Sequence, residues 1–356
     1  MKKIISVVGA RPQFIKCAAL SPVLKKYFNE IIVHTGQHYD ENMSDVFFKE
    51  LQIPQPNYNL EVGSDTSCRQ IGKMIIRFEN VIEKEKPDLV IVFGDTNSTA
   101  AASIVAVKHG IKLAHVEAGL REFNKYIPEE SNKLITDILA DFYFCPTPTA
   151  VDILKNMGIT CGVYNTGDVM IDIIEKYRYY IENNTQILDK LHLSKYKYVF
   201  VTCHRAANTD NPQNLKNILK AINSLNKKVV FPVHPRTQKI IKENNLDNLM
   251  ISPYIIKTEP LSYFDSQTLI MYADYVITDS GGVTKEAYYH KVPGILVDTQ
   301  TEWIETVNEG WNKQAGPNTE KILNFATSIE RPNFHSNCLG DGHASEKIAK
   351  ILLDNL

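Results

Sequence analysis

The sequence predicts an α/β protein with two Rossmann-like domains, each built on a parallel sheet. Short runs rich in β-branched residues recur along the chain, with helical stretches between them; that alternation implies parallel strands joined by helical crossovers. Several runs are apolar almost throughout instead of alternating, as strands covered on both faces are. The chain has 356 residues, which at roughly 150 per domain suggests about two domains.

In the first half, Ile4 to Val8, Ile31 to Thr35, Leu89 to Phe93, Lys112 to Val116 and Phe142 to Cys145 read as strands. In the second half, Tyr198 to Thr202, Lys228 to Val233, Tyr275 to Thr278 and Gly294 to Val297 do. Between Asp168 and Tyr196 there is no strong strand signal, and a new strand opens afterwards. The expected division is therefore residues 1–170 and 171–344. A last helix, Ser345 to Asp354, carries Ile348, Ile351 and Leu352 on one face and must dock on something. Ser345 is its expected N-cap.

Composition excludes several classes. With 44% hydrophobic and 22% charged residues, the chain is neither disordered, collagen-like nor a coiled coil. Lys and Arg total 39 and Asp and Glu 41, a net charge of −2. General binding to nucleic acid or to a membrane surface is not favoured. No apolar run approaches the roughly 20 residues a membrane span needs. The opening Met-Lys-Lys-Ile-Ile-Ser-Val-Val-Gly reads as a buried strand, not a signal peptide. Six cysteines without a CxxC pair indicate reduced thiols in cytoplasm and no zinc site.

In open α/β sheets ligands sit beyond the carboxyl ends of strands, so the informative residues follow strands. The first strand ends in Gly9-Ala10-Arg11-Pro12-Gln13-Phe14-Ile15-Lys16. Arg11 as a fork and Lys16 as a point charge suit a diphosphate; the plainer alternative is a turn glycine with solvated cations. The motif is not GxGxxG, so a nicotinamide cofactor gains no support. Asp95 stands at the next strand tip, in Gly94-Asp95-Thr96-Asn97, where Asp95 or Thr96 could equally cap a helix. Glu117 follows an apolar strand, where a carboxylate needs a reason to be near-buried. Glu129, after Pro128, opens a helix and could be a dipole partner. These three carboxylates map to the carboxyl edge of one sheet. Carboxylates so grouped push one another's pKa values apart, as acid/base work requires.

In the second half, His204 and Arg205 end one strand and His234 follows the next. His204 offers a proton donor and Arg205 a phosphate clamp. The strongest signal is Asp279-Ser280-Gly281-Gly282, between a strand and a helix. It puts backbone N–H groups at a helix N-terminus, an anion site. Glu286, about one turn in, is placed to accept from vicinal hydroxyls such as those of a ribose.

Taken in order, GARPQFIK, TGQHYDENMS, GDTNST, HVEAGLR, PEE, TCHR, DSGG, TEW and GDGHAS resemble the motifs of the non-hydrolysing UDP-N-acetylglucosamine 2-epimerases over essentially the whole length. The resemblance implies a glycosyltransferase-B-like fold, an active site in the interdomain cleft, and a last helix, 345–356, packing back on the first domain. It implies a UDP-sugar bound by Ser280, Gly281, Gly282 and Glu286, with Arg11, Lys16, Arg205 and His234 around it. Asp95, Glu117, Glu129 and His204 match the family's catalytic residues. The implied chemistry is elimination of UDP to a glycal, then re-addition with C2 inverted, with no cofactor and no metal. A homodimer is implied, as is nucleotide-sugar activation near Gln37, His38, Arg69 and Gln70.

Gln13-Phe14, Tyr39-Asp40, Gly167-Asp168-Val169-Met170, and Thr301-Glu302-Trp303 with Gly310-Trp311-Asn312 resemble, within the family, the 2-epimerases of UDP-2,3-diacetamido-2,3-dideoxy-glucuronate, which serve polysaccharide or O-antigen synthesis. The chain departs from the family pattern at Lys133, where the family has Arg, at Ala207, commonly Glu, at Thr284, often Gln, and at Asp298, where an Arg stands. A hydrolysing 2-epimerase, a transferase of the same architecture and a non-catalytic UDP-sugar binder are the competing readings.

Overall fold

The computed structural model describes residues 1–37 and 50–356. His38, Tyr39 and Asp40 lie outside the described residues. The chain divides into two compact units, Met1–Lys176 with Asn337–Leu356, and Tyr177–Ser336.

The first unit holds a parallel sheet of seven strands, β1 (Lys3–Val8), β2 (Asn29–His34), β3 (Tyr58–Asn59), β4 (Leu89–Phe93), β5 (Lys112–Val116), β6 (Phe142–Cys145) and β7 (Val163–Asn165). Their order is β3-β2-β1-β4-β5-β6-β7. Strand β1 pairs with β2 from Lys3–Asn29 to Val8–His34 and with β4 from Ile4–Leu89 to Val7–Val92. The chain leaves β1 toward β2 but leaves β4 toward β5. Right-handed crossovers then place helix Arg11–Leu24 and helix Asn97–Lys108 on opposite faces. All five residues of β4 are fully buried, which is why it reads as a continuous apolar run. One core cluster sits under helix Ser67–Glu85 and gathers Val7, Val33, Phe78, Val92 and Val105.

The second unit repeats the plan with β8 (Tyr198–Thr202), β9 (Lys228–Pro232), β10 (Ile255–Thr258), β11 (Tyr275–Thr278), β12 (Gly294–Leu296) and β13 (Asn312–Gln314), in the order β10-β9-β8-β11-β12-β13. Its core includes Val199, Val201, Leu219, Phe231 and Ile277. In each unit the strand order reverses beside the first strand, and that switch point opens the crevice where such sheets bind ligands.

The division at 170/171 and 344/345 is corrected at both places. Helix Val169–Lys176 and residues 337–343 belong to the first unit. Ile171, Ile173 and Ile174 are fully buried, and their helix packs against helix Arg11–Leu24 and the last helix, Ala344–Asn355. Ser345 is not the N-cap; His343 occupies that position. The backbone N–H groups of Ala344 and Ser345 donate instead to Asp172, at 3.1 and 2.7 Å. A carboxylate from another helix thus satisfies the orphan donors that a side-chain cap usually takes. Among the described residues no helix is long and apolar enough to cross a membrane.

Candidate functional site

At the switch point of the first unit, Gln13 ties the β1 turn to its neighbour. Its Oε1 accepts from the N–H groups of Gly9 and Ala10, and its Nε2 donates to the Phe93 carbonyl at 2.8 Å. This is the reciprocal arrangement of a glutamine at the third helical position. Lys16, a turn further on, is only 4% exposed, and its ammonium donates to Glu117. Gly94 separates β4 from Asp95 and backs this pair. A Cβ on Gly94 would stand 3.0 Å from Lys16 Nζ and 3.2 Å from Glu117 Oε2, and its φ is +61°.

Glu117 itself has φ +72°, a left-handed conformation that costs a non-glycine residue about 1–3 kcal/mol and clusters at functional sites. The turn is pinned: the N–H groups of Glu117 and Ala118 both donate to the Phe144 carbonyl. Beneath it, His115 is fully buried between Asp137 Oδ1 at 2.6 Å and the Gly94 carbonyl at 2.8 Å. Asp137 also accepts from Arg121 at 2.7 Å and from the N–H of Gly119. Burial opposes its charge, yet His115 and Arg121 outweigh burial and hold the carboxyl below its ordinary range.

Asp95 is half-buried, with Lys133 Nζ 3.8 Å away; the same ammonium stands 3.8 Å from Glu122. Glu129 is exposed on the first turn of helix Pro128–Leu139. Its neighbour Glu130 turns inward and accepts from the Glu122 N–H at 2.7 Å. Lys16, Glu117 and Asp95 therefore gather at adjacent strand ends, while Glu129 stands outside the bonded group. A chain of amides also reaches Asp95. Asn132 donates to the Asp95 carbonyl and to Asn97, and Asn97 donates to Gln70 at 2.8 Å. Gln70 is buried and Arg69 exposed. Gln37 accepts from the backbone and hydroxyl of Ser98. Arg11 is the first residue of its helix and half-buried.

In the second unit Asp279, 4% exposed, organises the ends of β8 and β11. It accepts from the N–H groups of His204 and Arg205 and from the Asn208 amide, at 2.9 to 3.1 Å. The His204 ring lies 5.8 Å from that of His234. His234 caps helix Pro235–Glu243, its Nδ1 accepting from the Arg236 N–H. Arg205 pairs with Asp298 at 2.9 Å. Burial pushes the Cys203 thiol well above its ordinary value, so it is no nucleophile. Ser280 caps helix Gly281–Tyr289, and Glu286 is buried on it. At Gly281 a Cβ would stand 3.1 Å from the Trp303 indole nitrogen, which explains a glycine there. Arg205, Asp279, Gly281, Thr284, Asp298 and Trp303 share one pocket.

Sequence reasoning missed His115, Asn132, Asp137 and Asp279 as site residues. For His115 and Asp279 the available signal was a polar residue inside or at the end of an apolar strand, where burial demands a partner; for Asn132 and Asp137, on helix Pro128–Leu139, there was none.

The same parallel fold twice in one chain, with polar strand ends at each switch point, is the architecture of glycosyltransferase-B-like α/β enzymes. The family model described as UDP-N-acetylglucosamine 2-epimerase matches residues 23–353. A Methanococcus maripaludis protein named UDP-N-acetylglucosamine 2-epimerase homolog is 46% identical, over 98% of this chain and 99% of its own. The UDP-2,3-diacetamido-2,3-dideoxy-D-glucuronate 2-epimerase of Pseudomonas aeruginosa is 40% identical over the same shares. The crystal structure of Methanocaldococcus jannaschii UDP-GlcNAc 2-epimerase with UDP-GlcNAc and UDP superposes with a TM-score of 0.93, at 38% identity, over 99% of this chain and 100% of that one. This chain belongs to the UDP-N-acetylglucosamine 2-epimerase family, a family of isomerases.

Proposed function

We propose that this protein inverts C2 of a UDP-2-acetamido sugar by eliminating UDP and adding it back. The observation that carries the reading is Glu117, held against Lys16 in a strained backbone conformation at a strand end. Strain of that kind is retained where geometry serves chemistry. One carboxylate takes the C2 proton as the C1–O bond breaks, its electron pair leaving with UDP and a C1–C2 double bond forming. A second proton donor then protonates C2 on the opposite face while the UDP oxygen rejoins C1. Asp95, Glu117, Glu129 and His204 are the proposed proton-handling groups. The C2 hydrogen is not acidic, so stabilising the departing diphosphate matters as much as the base. Ser280, Gly281, Gly282 and Arg205 are proposed to do that, with Arg11 and His234 nearby in role and Glu286 on the ribose. A Cβ on Gly282 would meet nothing nearer among the described residues than Ser280 Oγ at 3.7 Å, so packing does not require that glycine, which supports a ligand's approach there.

The sugar is UDP-N-acetylglucosamine or its 2,3-diacetamido-glucuronate analogue. Proton NMR in D2O with each substrate tests the reading. Inversion with deuterium at C2 supports it, and the faster substrate names the subgroup. Asp95→Asn and Glu117→Gln are expected to lose turnover and keep UDP binding; wild-type turnover in both removes the assignment. Stoichiometric UDP release favours the hydrolysing reaction.

The protein is further proposed to act in the cytoplasm as a homodimer. Ile76 and Ile138 are each 65% exposed on two of three helices packed side by side, Ser67–Glu85, Asn97–Lys108 and Pro128–Leu139. Light scattering on the purified protein tests the dimer.

A further inference from the structure

His115 is absent from the proposed chemistry, yet it is fully buried and bonds through both ring nitrogens. The Gly94 carbonyl can only accept, so Nε2 carries a proton. Asp137 already accepts from Arg121 and Gly119 and is an acceptor for Nδ1 as well. The ring is therefore hydrogen-bonded at both nitrogens. One bond ends on Gly94, which precedes Asp95 and backs the Lys16–Glu117 pair. The other ends on Asp137, which holds Gly119, two residues after Glu117. His115 thus reaches the first turn directly and the second through Asp137.

We propose that His115 is a positioning residue for epimerisation: it ties the turn carrying Asp95 to the turn carrying Glu117, so that both carboxylates keep one fixed separation. The proposal rests on the functional reading above. Two proton transfers at one carbon tolerate little drift of either group, and misplacement by an ångström costs rate without weakening nucleotide binding.

The test compares His115→Ala with wild type in the D2O assay, with free imidazole or N-methylimidazole added. The expected result is a kcat about 100-fold lower, with KM and UDP affinity within about threefold of wild type. Imidazole, which donates through both nitrogens when protonated, restores turnover. N-methylimidazole keeps the ring but carries a methyl group in place of one N–H, and it does not. A kcat near wild type, equal restoration by both bases, or restoration by neither overturns the proposal. Should His115→Ala not fold, Asp137→Asn keeps the volume and removes the charge that holds the ring; a kcat about tenfold lower is expected, and wild-type kcat overturns the proposal. Absence of turnover in the wild-type protein sinks the functional reading itself and is seen before any variant is made.

Discussion

The ammonium of Lys16 and the carboxylate of Glu117 meet over Gly94, although 101 positions separate them in the chain. The sequence suggested a diphosphate for Lys16; in the fold it is engaged by the carboxylate. Gly94→Ala tests what that space is for. A Cβ would press on the paired ends of Lys16 and Glu117, and the residue would adopt φ +61° at about 1–2 kcal/mol. The variant is expected to fold, to melt a few degrees lower, and to lose about tenfold or more in kcat. Wild-type kcat would show that the pair tolerates displacement.

Lys133 stands where the family has Arg and is nearly buried beside Asp95 and Glu122. Lys133→Arg supplies the same charge with a wider fork and is expected to keep kcat within about threefold. Lys133→Met removes the cation shared by the Asp95 and Glu122 carboxylates and is expected to lower kcat about tenfold or more. Steady-state kinetics of the two variants separate charge from shape.

Asp279 satisfies two backbone donors and the amide of Asn208. Asp279→Ala leaves these buried donors unmet, at about 1–3 kcal/mol for each group that finds no water. The β8 loop loses its anchor, so UDP affinity is expected to fall by about tenfold or more, measured by calorimetry. Unchanged affinity would place His204 and Arg205 outside the nucleotide site.

Two buried carboxylates respond oppositely to pH. Asp137 is held below its ordinary value of 3.8, burial being outweighed by His115 and Arg121. Its contribution is present above that value and lost as pH falls through the folded one. Asp137→Asn should therefore cost stability at pH 7 and progressively less below about pH 4. Glu30, in contact with the Ser6 and Ser21 hydroxyls, is raised above 4.5, chiefly by burial. Its contribution is full below that value and lost as pH rises through the folded one. Glu30→Gln should therefore gain on wild type between pH 4 and pH 7. Urea midpoints at the two pH values check both signs.

Asp172 accepts from Ala344 and Ser345, and burial raises its carboxyl above the ordinary value. Asp172→Ala should cost about 1–2 kcal/mol by exposing two orphan N–H groups. Hydrogen exchange should report faster opening of the last helix than of β1. Equal rates would mean the helix is held by Ile348 and Leu352 alone.

The central strands were legible because burial on both faces writes apolar runs. The strands that went unread, β3, β7, β10 and β13, are the four sheet edges. They are two to four residues long and partly exposed, so neither period nor composition marks them. Site residues at strand ends were legible for a topological reason, since ligands gather there. The residues that hold them were not. His115 and Asp137 are partners only because β5 and helix Pro128–Leu139 pack together, and nothing in their spacing announces it. Glu129 was singled out in the sequence and Glu130 was not, and only the fold shows that the first is exposed and the second buried.

The second unit is an insertion in the chain of the first, which closes only with residues 337–356. A ribosome therefore emits the whole of the second unit while the unit bearing Asp95 and Glu117 still lacks its last helix. The N-terminal segment must wait through the synthesis of Tyr177–Ser336 with the surface around Ile173 and helix Arg11–Leu24 uncovered. Synthesis of residues 337–356, not merely of the first 176, is the event that seals the carboxylate-bearing unit. Nonsense or frameshift lesions just ahead of residue 337 would strike the unit encoded first.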